Sequence, residues 1–433
     1  MARFAALLGW LRSLIGRPEL AGRPIAYASE PRLDATVAAA RPAVSANDVF
    51  TPTRPREGRR ALVGRQAELA RILDAILDET AHVVLYSERG RGKTSLSNLV
   101  IERLRRRGAL VARCACEAET NFDTMIRALV RDLPPSLLSI PVGESDAEGC
   151  EAMLPHRSLR PADVAAIPAS LDCPFVVFVI DEFDRVTDIG TRTRMADTIK
   201  LLSDRGAKLY FMVVGVSDTL EAIIGQHPSI QRNIVPVHLP LLSDDEIAGM
   251  LTKGGQQAGI GFSQQAVEIV ASVARGMPYM AQLLGLRIAQ AALRHGREQV
   301  QGSDVLAAVN RLLDEASAVV VSVYAALVGP GSEPGTANML HRLAIADQDP
   351  WGRMAVAHVP GHMQVGGRRV PLPIWTRLMQ TGILLQPDGE GGSVHFADRA
   401  LVYHVQLLAA RAELTGDRPT SEAVPARRIT TGA

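Results

Sequence analysis

Residues 82–98, HVVLYSERGRGKTSLSN, decide the fold of this 433-residue chain. Five apolar or β-compatible residues predict a buried strand, and a turn with Gly90 and Gly92 follows it. Lys93 and Thr94 then begin an amphipathic helix. Such a strand–turn–helix suits an anion, because the backbone N–H groups of the turn and the positive end of the helix face the same point. The stretch predicts a phosphate-binding loop.

The match to the loop pattern G-x-x-x-x-G-K-[ST] is imperfect, because Ser87 stands where the first glycine is expected. The turn is strained at Ser87 if that position needs a positive φ, which glycine tolerates best. Lysine occurs at only four positions of the chain, so a lysine at position 93 by chance is a poor explanation. A loop that merely looks like a phosphate loop is the alternative.

Composition indicates a soluble, globular chain, 47% hydrophobic and 21% charged, with room for two or three domains. The formal net charge of +1 argues against a protein wrapped in nucleic acid, although residues 1–60 carry ten Arg and five acids. Cys114 and Cys116 have no second ligand pair at zinc-binding spacing. We therefore expect reduced thiols in a cytoplasmic protein.

The N-terminal residues 1–15 place apolar side chains at helical spacing between arginines. The run is shorter than the roughly 20 residues that cross a bilayer, and Arg12 interrupts any signal-peptide core. Two alternatives stay open. One is a helix in peripheral contact with a membrane, and the other, which we favour, is a docking helix or a disordered tail. Residues 17–60 contain six prolines, which predicts an extended linker.

A second buried strand lies in FVVFVIDEFD (175–184) and ends in the carboxylates of Asp181 and Glu182. Ligands of open α/β sheets bind at this end of the strands. In nucleoside triphosphatases such an aspartate holds Mg²⁺ and the glutamate polarises the attacking water. The alternative is a solvated strand end, and the phosphate loop upstream argues against it.

Three further segments read as strands and complete an α/β domain with a parallel sheet. ALVARCAC (109–116) is the first. KLYFMVVGVSD (208–218) brings Ser217 to a strand end, where its hydroxyl either reaches the terminal phosphate or caps the next helix. Residues 227–241 carry Arg232 just before the fifth strand, either as an ordinary surface residue or as an arginine finger for a neighbour's nucleotide.

Over residues 60–315 the chain resembles an AAA+ ATPase of the initiator-like (origin-recognition) and STAND type of P-loop NTPase. SERGRGKT, FVIDEFD, the serine-ended strand and PSIQRNIVPVHLPLLSDDEI carry the resemblance. It implies a P-loop NTPase sheet with a helical lid, and ATP and Mg²⁺ as cofactors. It implies Thr94 and Asp181 as magnesium ligands, and Glu182, Ser217 and Arg232 as catalytic base, sensor 1 and candidate finger.

The resemblance also implies which residues bind the nucleotide. Lys93 would bind phosphate, and Gly64 with Arg65, in the position of the family's VGRExEL opening, would lie near the adenine. The other residues it implies are Ser87, Glu88, Arg89, Gly90, Arg91, Gly92, Thr94, Ser95 and Pro278. Tyr279 follows Pro278 where initiator-type members often carry arginine, and this departure favours slow hydrolysis.

The C-terminal region, residues 316–412, has a sequence pattern different from that of the preceding α/β domain and lid. A helix (318–327), a short helix (374–381), the hairpin ILLQ and SVHF, and a last helix (399–412) resemble a winged helix. The presumed recognition helix carries Arg377. Seven Arg and six acids lie in residues 316–411, and this near-neutrality favours a protein-facing or a weakly DNA-facing module, because phosphate contacts dominate DNA affinity.

These observations predict five regions and two competing functions. The first function is a low-turnover ATP hydrolase that acts as a nucleotide-dependent switch and controls an unidentified protein partner. The alternative is an initiator-like or transposition-regulator-like ATPase on duplex DNA. An ATP-dependent homo-oligomer follows if Arg232 acts between subunits. The regions are 1–60 (amphipathic segment and linker), 61–241 (AAA+ nucleotide-binding α/β domain), 242–315 (helical lid), 316–412 (winged-helix-like domain) and 413–433 (disordered tail).

Overall fold

The structure, a computed structural model, describes residues 45–52, 64–134, 136, 149–217, 232–349, 351–386 and 392–416. The predicted N-terminal segment 1–15, most of the linker and most of the tail lie outside these residues. The described chain packs into two compact units. One comprises residues 50–251 and 274–283, and the other comprises the described parts of 1–49, 252–273 and 284–433.

A parallel sheet of five strands organises the described part of the first unit, and all five strands predicted from the sequence are confirmed. Their spatial order is β2-β3-β4-β1-β5, so β4 lies between the strand before the phosphate loop and the strand that ends in Asp181. The strands are β1 (His82–Ser87), β2 (Leu110–Ala115), β3 (Val176–Asp181), β4 (Leu209–Val216) and β5 (Ile234–His238).

Helices flank this sheet because each strand alternates its apolar side chains between two faces. Helices α2 (Gln66–Leu77) and α3 (Lys93–Arg106) bury their apolar stripes in one core with β1, β3 and β4. Helix α6 (Ile189–Arg205) packs against both α4 (Phe122–Arg131) and α5 (Pro161–Ala166), and α4 also contacts β2. Short 3₁₀ turns lie at Gly149–Met153, Ile167–Ser170 and Phe183–Arg185.

Four helices follow the sheet, in the region where the sequence predicts a helical lid. Ser243 and Glu246 form a reciprocal capping box, and the Ser263 hydroxyl accepts the N–H of Ala266 at 3.3 Å. The helices are α7 (Asp244–Gln257), α8 (Gln264–Ala274), α9 (Pro278–Arg294) and α10 (Gly302–Asp314). The domain limits drawn from the sequence stay predictions.

The C-terminal region contains more sheet than the sequence predicts. The helices near 318, 374 and 399 and the last hairpin are confirmed, but α12 and the strands β6 to β8 were missed. Together with the hairpin, β6 to β8 form an antiparallel sheet of five strands among the described residues, in the order β8-β7-β6-β10-β9. The winged-helix assignment stays a prediction. The elements are α11 (Ala318–Val328), α12 (Thr336–Ala344), β6 (Met354–Val359), β7 (His362–Val365), β8 (Arg368–Pro371), α13 (Leu372–Gln380), β9 (Leu384–Leu385), β10 (Ser393–Phe396) and α14 (Arg399–Thr415).

One part of the predicted extended linker is ordered, so that prediction is wrong for residues 45–52. A short helix α1 spans Ala46–Val49, and Phe50 is fully buried. Ala46, Val49 and Phe50 have the spacing of one helix face, which the surrounding proline-rich composition hides. In the part of the chain that the structure describes, no helix combines the length and apolarity that a membrane crossing requires.

The loop before α9 depends on Gly276. Its φ is +78°, its carbonyl accepts the N–H of Leu242 at 2.8 Å, and an added Cβ would lie 2.4 Å from the carbonyl oxygen of Leu242. We expect Gly276→Ala to lower the free energy of unfolding by about 2–4 kcal/mol, from backbone strain and overpacking together. Denaturant unfolding measures this loss.

Gly206→Ala is the matched control. Gly206 also has a left-handed φ (+59°), but an added Cβ would meet no described atom within 4 Å. We expect it to lose only about 1 kcal/mol, the conformational part alone. Equal losses in the two variants would contradict the argument, since they would show that the contact with Leu242 yields at no cost.

Candidate functional site

The phosphate loop connects β1 to α3 without strain at Ser87. Ser87 is the last residue of β1, pairs with Val216 of β4 and is fully buried. The left-handed backbone positions of the loop fall on Gly90 (φ +85°) and Gly92 (φ +91°), which tolerate them. A first glycine is therefore dispensable here, and the strain considered for Ser87 does not arise.

Lys93 points back into this loop. Its Nζ donates to the carbonyl oxygens of Ser87 and Glu88, both at 2.8 Å, and lies 3.4 Å from Ser87 Oγ. Burial lowers the pKa of Lys93 to about 8, while the carboxylates of Asp184 and Asp181 act in the opposite direction. The ammonium group is thus held by backbone dipoles at the place where a phosphate would lie.

Two buried arginines tie the loop to the segment after β5. Arg91 donates to the carbonyl of Leu239 at 3.2 Å and forms an ion pair with Glu88 at 3.2 Å. Arg65 donates to the carbonyl of Pro240 at 2.6 Å and forms an ion pair with Glu68. These side chains fix the walls of the site, a role that the sequence pattern alone does not predict.

Asp181 lies at the end of β3 and is nearly buried, with 7% of its surface exposed. Its Oδ1 accepts the backbone N–H of Glu182 at 3.0 Å, and its Oδ2 forms an ion pair with Arg113 of β2. Arg113 also donates to Asn98 of α3 at 2.8 Å. Sequence reasoning missed Arg113, because its position diagonal to Asp181 depends on the parallel register of β2 and β3, which the sequence alone does not give.

Glu182 adopts a left-handed backbone, with φ of 55°. Such a conformation costs free energy for a residue with a side chain and is concentrated at functional sites. Its half-exposed carboxylate accepts from Arg185 at 2.8 Å, and this contact raises the pKa of Arg185. The Glu182 carboxylate is therefore already paired with a protein side chain, that of Arg185.

Several of the other predicted residues lie close to the phosphate loop. Ser217 follows Val216, the partner of Ser87, and so lies beside the start of the loop. Gly90 is close to Met277 and Tyr279, which flank Pro278, because a Cβ on Gly90 would lie 3.1 Å from the Met277 methyl group. Gly64 has φ of +82° and adjoins Arg65.

Arg232 is the exception. It lies exposed just before β5, next to the start of β1 rather than its end. The two ends of a six-residue strand are about 16–20 Å apart. Arg232 is therefore remote from the phosphate loop of its own chain, which fits a finger donated to a neighbour and excludes one that acts within the subunit in this arrangement.

The residues present fit a magnesium nucleotide. A Cβ added at Gly92 would meet no described atom within 4 Å, so the loop leaves open space at the start of α3. Thr94 and Asp181 offer hydroxyl and carboxylate oxygens, the ligands that Mg²⁺ prefers. Backbone N–H groups at the start of α3, with Thr94 and Ser95 in its first turn, complete an anion site.

Comparisons with known proteins agree with this geometry. A family model described as the AAA ATPase domain matches residues 61–214. No curated protein matches the chain. Among solved structures, the chain is similar to the Walker-type ATPase PABY2304 of Pyrococcus abyssi, with 16% identity, 83% of this chain and 99% of that chain covered, and a TM-score of 0.48.

Two other solved structures illustrate the range. The ORC2 protein of Aeropyrum pernix has 15% identity, covers 85% of this chain and 99% of its own, and gives a TM-score of 0.47. The RuvB Holliday junction branch migration motor of Thermotoga maritima has 15% identity, covers 80% and 96%, and gives 0.42.

The family match covers the phosphate loop, β2, β3 and nearly all of β4, and the sheet order places these elements as a P-loop α/β fold requires. Lys93 lies in the loop, and Asp181 with Glu182 lies at the end of β3. Residues 61–214 thus match the AAA ATPase domain family and carry the parallel sheet of a P-loop α/β fold.

Proposed function

We propose that the chain is a slow AAA+ ATPase that acts as a nucleotide-dependent switch and controls the binding of a protein partner. The observation that carries the proposal is the pairing of the site's charged groups. Lys93 is held by backbone carbonyls, Asp181 by Arg113 and Glu182 by Arg185. Nucleotide binding must exchange these partners, and an exchange of contacts is what couples a ligand to a change of state.

The chemistry assigns one task to each side chain. The Lys93 ammonium binds the outer phosphates in place of the Ser87 and Glu88 carbonyls. Thr94 and Asp181 would hold Mg²⁺, which would neutralise charge on the phosphates. Glu182 orients the attacking water and accepts its proton. Ser217, at the neighbouring strand end, contacts the terminal phosphate.

Two features support slow turnover. The Glu182 carboxylate has to leave Arg185 before it can act on water, and the residue after Pro278 is Tyr279 rather than arginine. A fixed arginine stabilises the charge that develops on a transferring phosphoryl group, and a tyrosine supplies no such charge. We therefore expect the ATP-bound state to last long enough to act as a signal.

The structure supports a protein partner more than DNA. Arg377, on the presumed recognition helix, donates to the carbonyls of Ala326 at 3.0 Å and Gly331 at 3.4 Å. Its guanidinium stabilises the C-terminal end of α11, where a positive charge is favourable. It is therefore committed within the fold, and this weakens the initiator-like alternative. Arg232 suits contact with a second copy of the chain.

Lys93→Ala tests ATP binding. We expect the affinity for ATP to fall about 30- to 100-fold or more, because a charge-assisted bond to phosphate is lost. Equilibrium binding of a fluorescent ATP analogue measures it. Lys200→Ala, on the exposed side of α6, is the control and should bind as the parent does. Unchanged affinity in Lys93→Ala would exclude the phosphate-loop assignment.

The pH dependence of binding tests the state of Lys93. The nucleotide binds the ammonium form, and the pKa of Lys93 in the free protein is lowered to about 8. Affinity should therefore fall as pH rises above 8, by about 15-fold between pH 8 and pH 9.5. Lys93→Arg keeps its charge over this range and should show a flat profile. A parent profile that is flat as well would contradict the assignment.

Glu182→Gln tests hydrolysis. We expect turnover to fall about 10²- to 10⁴-fold while ATP binding persists, because the amide cannot accept the proton of water. Single-turnover release of phosphate measures the rate. A rate equal to that of the parent would remove Glu182 from the mechanism.

The same variant serves to test the switch. Hydrogen exchange of residues 252–416 should differ between the ATP-trapped Glu182→Gln protein and its nucleotide-free form. Lys93→Ala with the same ATP concentration is the control and should show the nucleotide-free pattern. Identical exchange in the trapped and free states would leave ATP hydrolysis intact and overturn the switch.

A further inference from the structure

The ion pair between Arg113 and Asp181 joins β2, at the edge of the sheet, to its neighbour β3. Arg113 pairs in register with Val179 of β3, so Arg113 and Asp181 are diagonal neighbours on one face. Val179 faces the core shared with α3, which places this face against that helix. Arg113 then bridges Asp181 and Asn98, with its second nitrogen 2.8 Å from the Asn98 amide oxygen.

Asn98 locates this bridge relative to the predicted magnesium ligands. Asn98 follows Thr94 by four residues, so the two side chains lie on the same face of α3 one turn apart. Arg113 therefore connects Asn98, one turn along α3 from Thr94, to the carboxylate of Asp181. The guanidinium already pairs with the carboxylate that a cation held by Thr94 and Asp181 would need.

The burial of Asp181 explains why a positively charged side chain, Arg113, lies beside it. The Asp181 side chain is only 10% exposed, and a carboxylate so buried is unfavourable without a positive partner. The Arg113 side chain is 33% exposed, so it has a path to solvent. The Asp181 carboxylate is thus held in a buried position, whereas the Arg113 side chain can move away from it into solvent.

We infer that Arg113 is the resident counter-cation of Asp181 and that the magnesium nucleotide must displace it. This inference rests on the proposed function and adds its regulation: Arg113 sets the magnesium concentration at which the site accepts ATP. Displacement exchanges one cation for another at Asp181, so the carboxylate stays paired throughout. The released guanidinium moves to solvent.

A positioning role for Arg113 predicts the opposite change in magnesium affinity when Arg113 is removed. If Arg113 only orients Asp181 for the metal, its removal weakens magnesium binding. If Arg113 competes with the metal, its removal strengthens it. Arg113→Met keeps an unbranched apolar stem in place of the arginine stem and removes the charge. It therefore distinguishes the two.

The experiment titrates Mg²⁺ against the full chain with a non-hydrolysable fluorescent ATP analogue, so the readout is binding. For Arg113→Met we expect half-maximal binding at about three- to tenfold lower Mg²⁺, the effect of one removed, partly exposed ion pair. Arg106→Met removes a surface ion pair with Glu102 on the far end of α3 and should match the parent.

Thermal unfolding gives a second readout and guards against a misfolded variant. Without nucleotide, Arg113→Met should melt below the parent, because Asp181 has lost its partner, and Mg²⁺ with the analogue should raise its melting temperature by more than it raises the parent's. Asn98→Ala removes only the second anchor of Arg113. It should lower the required Mg²⁺ in the same direction by a smaller factor.

The outcomes separate this inference from the proposed function. Parent protein that binds the analogue, together with an Arg113→Met variant that needs equal or more Mg²⁺, overturns the inference and leaves the ATPase switch in place. Parent protein that binds no analogue at any Mg²⁺ concentration overturns both. A lower requirement in Arg113→Met and Asn98→Ala, with Arg106→Met unchanged, supports the displacement.

Discussion

The burial of the Lys93 ammonium among backbone carbonyls is the interaction on which the site depends. A buried cation is costly unless dipoles or anions surround it, and the end of β1 supplies two carbonyl oxygens at 2.8 Å. That geometry requires a loop that turns back on its own strand, which Gly90 and Gly92 permit. It also requires fixed walls, and the buried side chains of Arg65 and Arg91 supply them by binding carbonyls beyond β5.

Charged groups at the neighbouring strand ends are likewise paired within the protein. Three charged groups expected to meet the magnesium nucleotide are already paired within the protein: Lys93 with carbonyls, Asp181 with Arg113 and Glu182 with Arg185. Binding is then an exchange of partners rather than the filling of unpaired positions. Under the proposed mechanism, this exchange would make the site sensitive to ion concentration and would couple binding to a second state of the protein, as the proposed switch requires.

The long apolar strands were predictable because their patterns are local. VVFVID in β3 and LYFMVVGV in β4 are buried on both faces, so a continuous apolar run identifies them as parallel strands. Strands β7 and β8 have four residues each, and Gly366 and Gly367 separate them. Such short runs lack a period that distinguishes them from loops. Likewise α1 was hidden by the prolines around it.

The sequence by itself determined the sheet, the phosphate loop and the carboxylates at the end of β3, because each is written in one contiguous stretch. Only the tertiary structure decided what those groups touch. Arg113 and Asp181 are 68 residues apart, and Arg91 binds a carbonyl 148 residues away. No local pattern encodes such pairs, since they exist only when parallel register sets the strands side by side. The sequence therefore predicts which residues bind a magnesium nucleotide, and the fold shows which protein contacts those residues make.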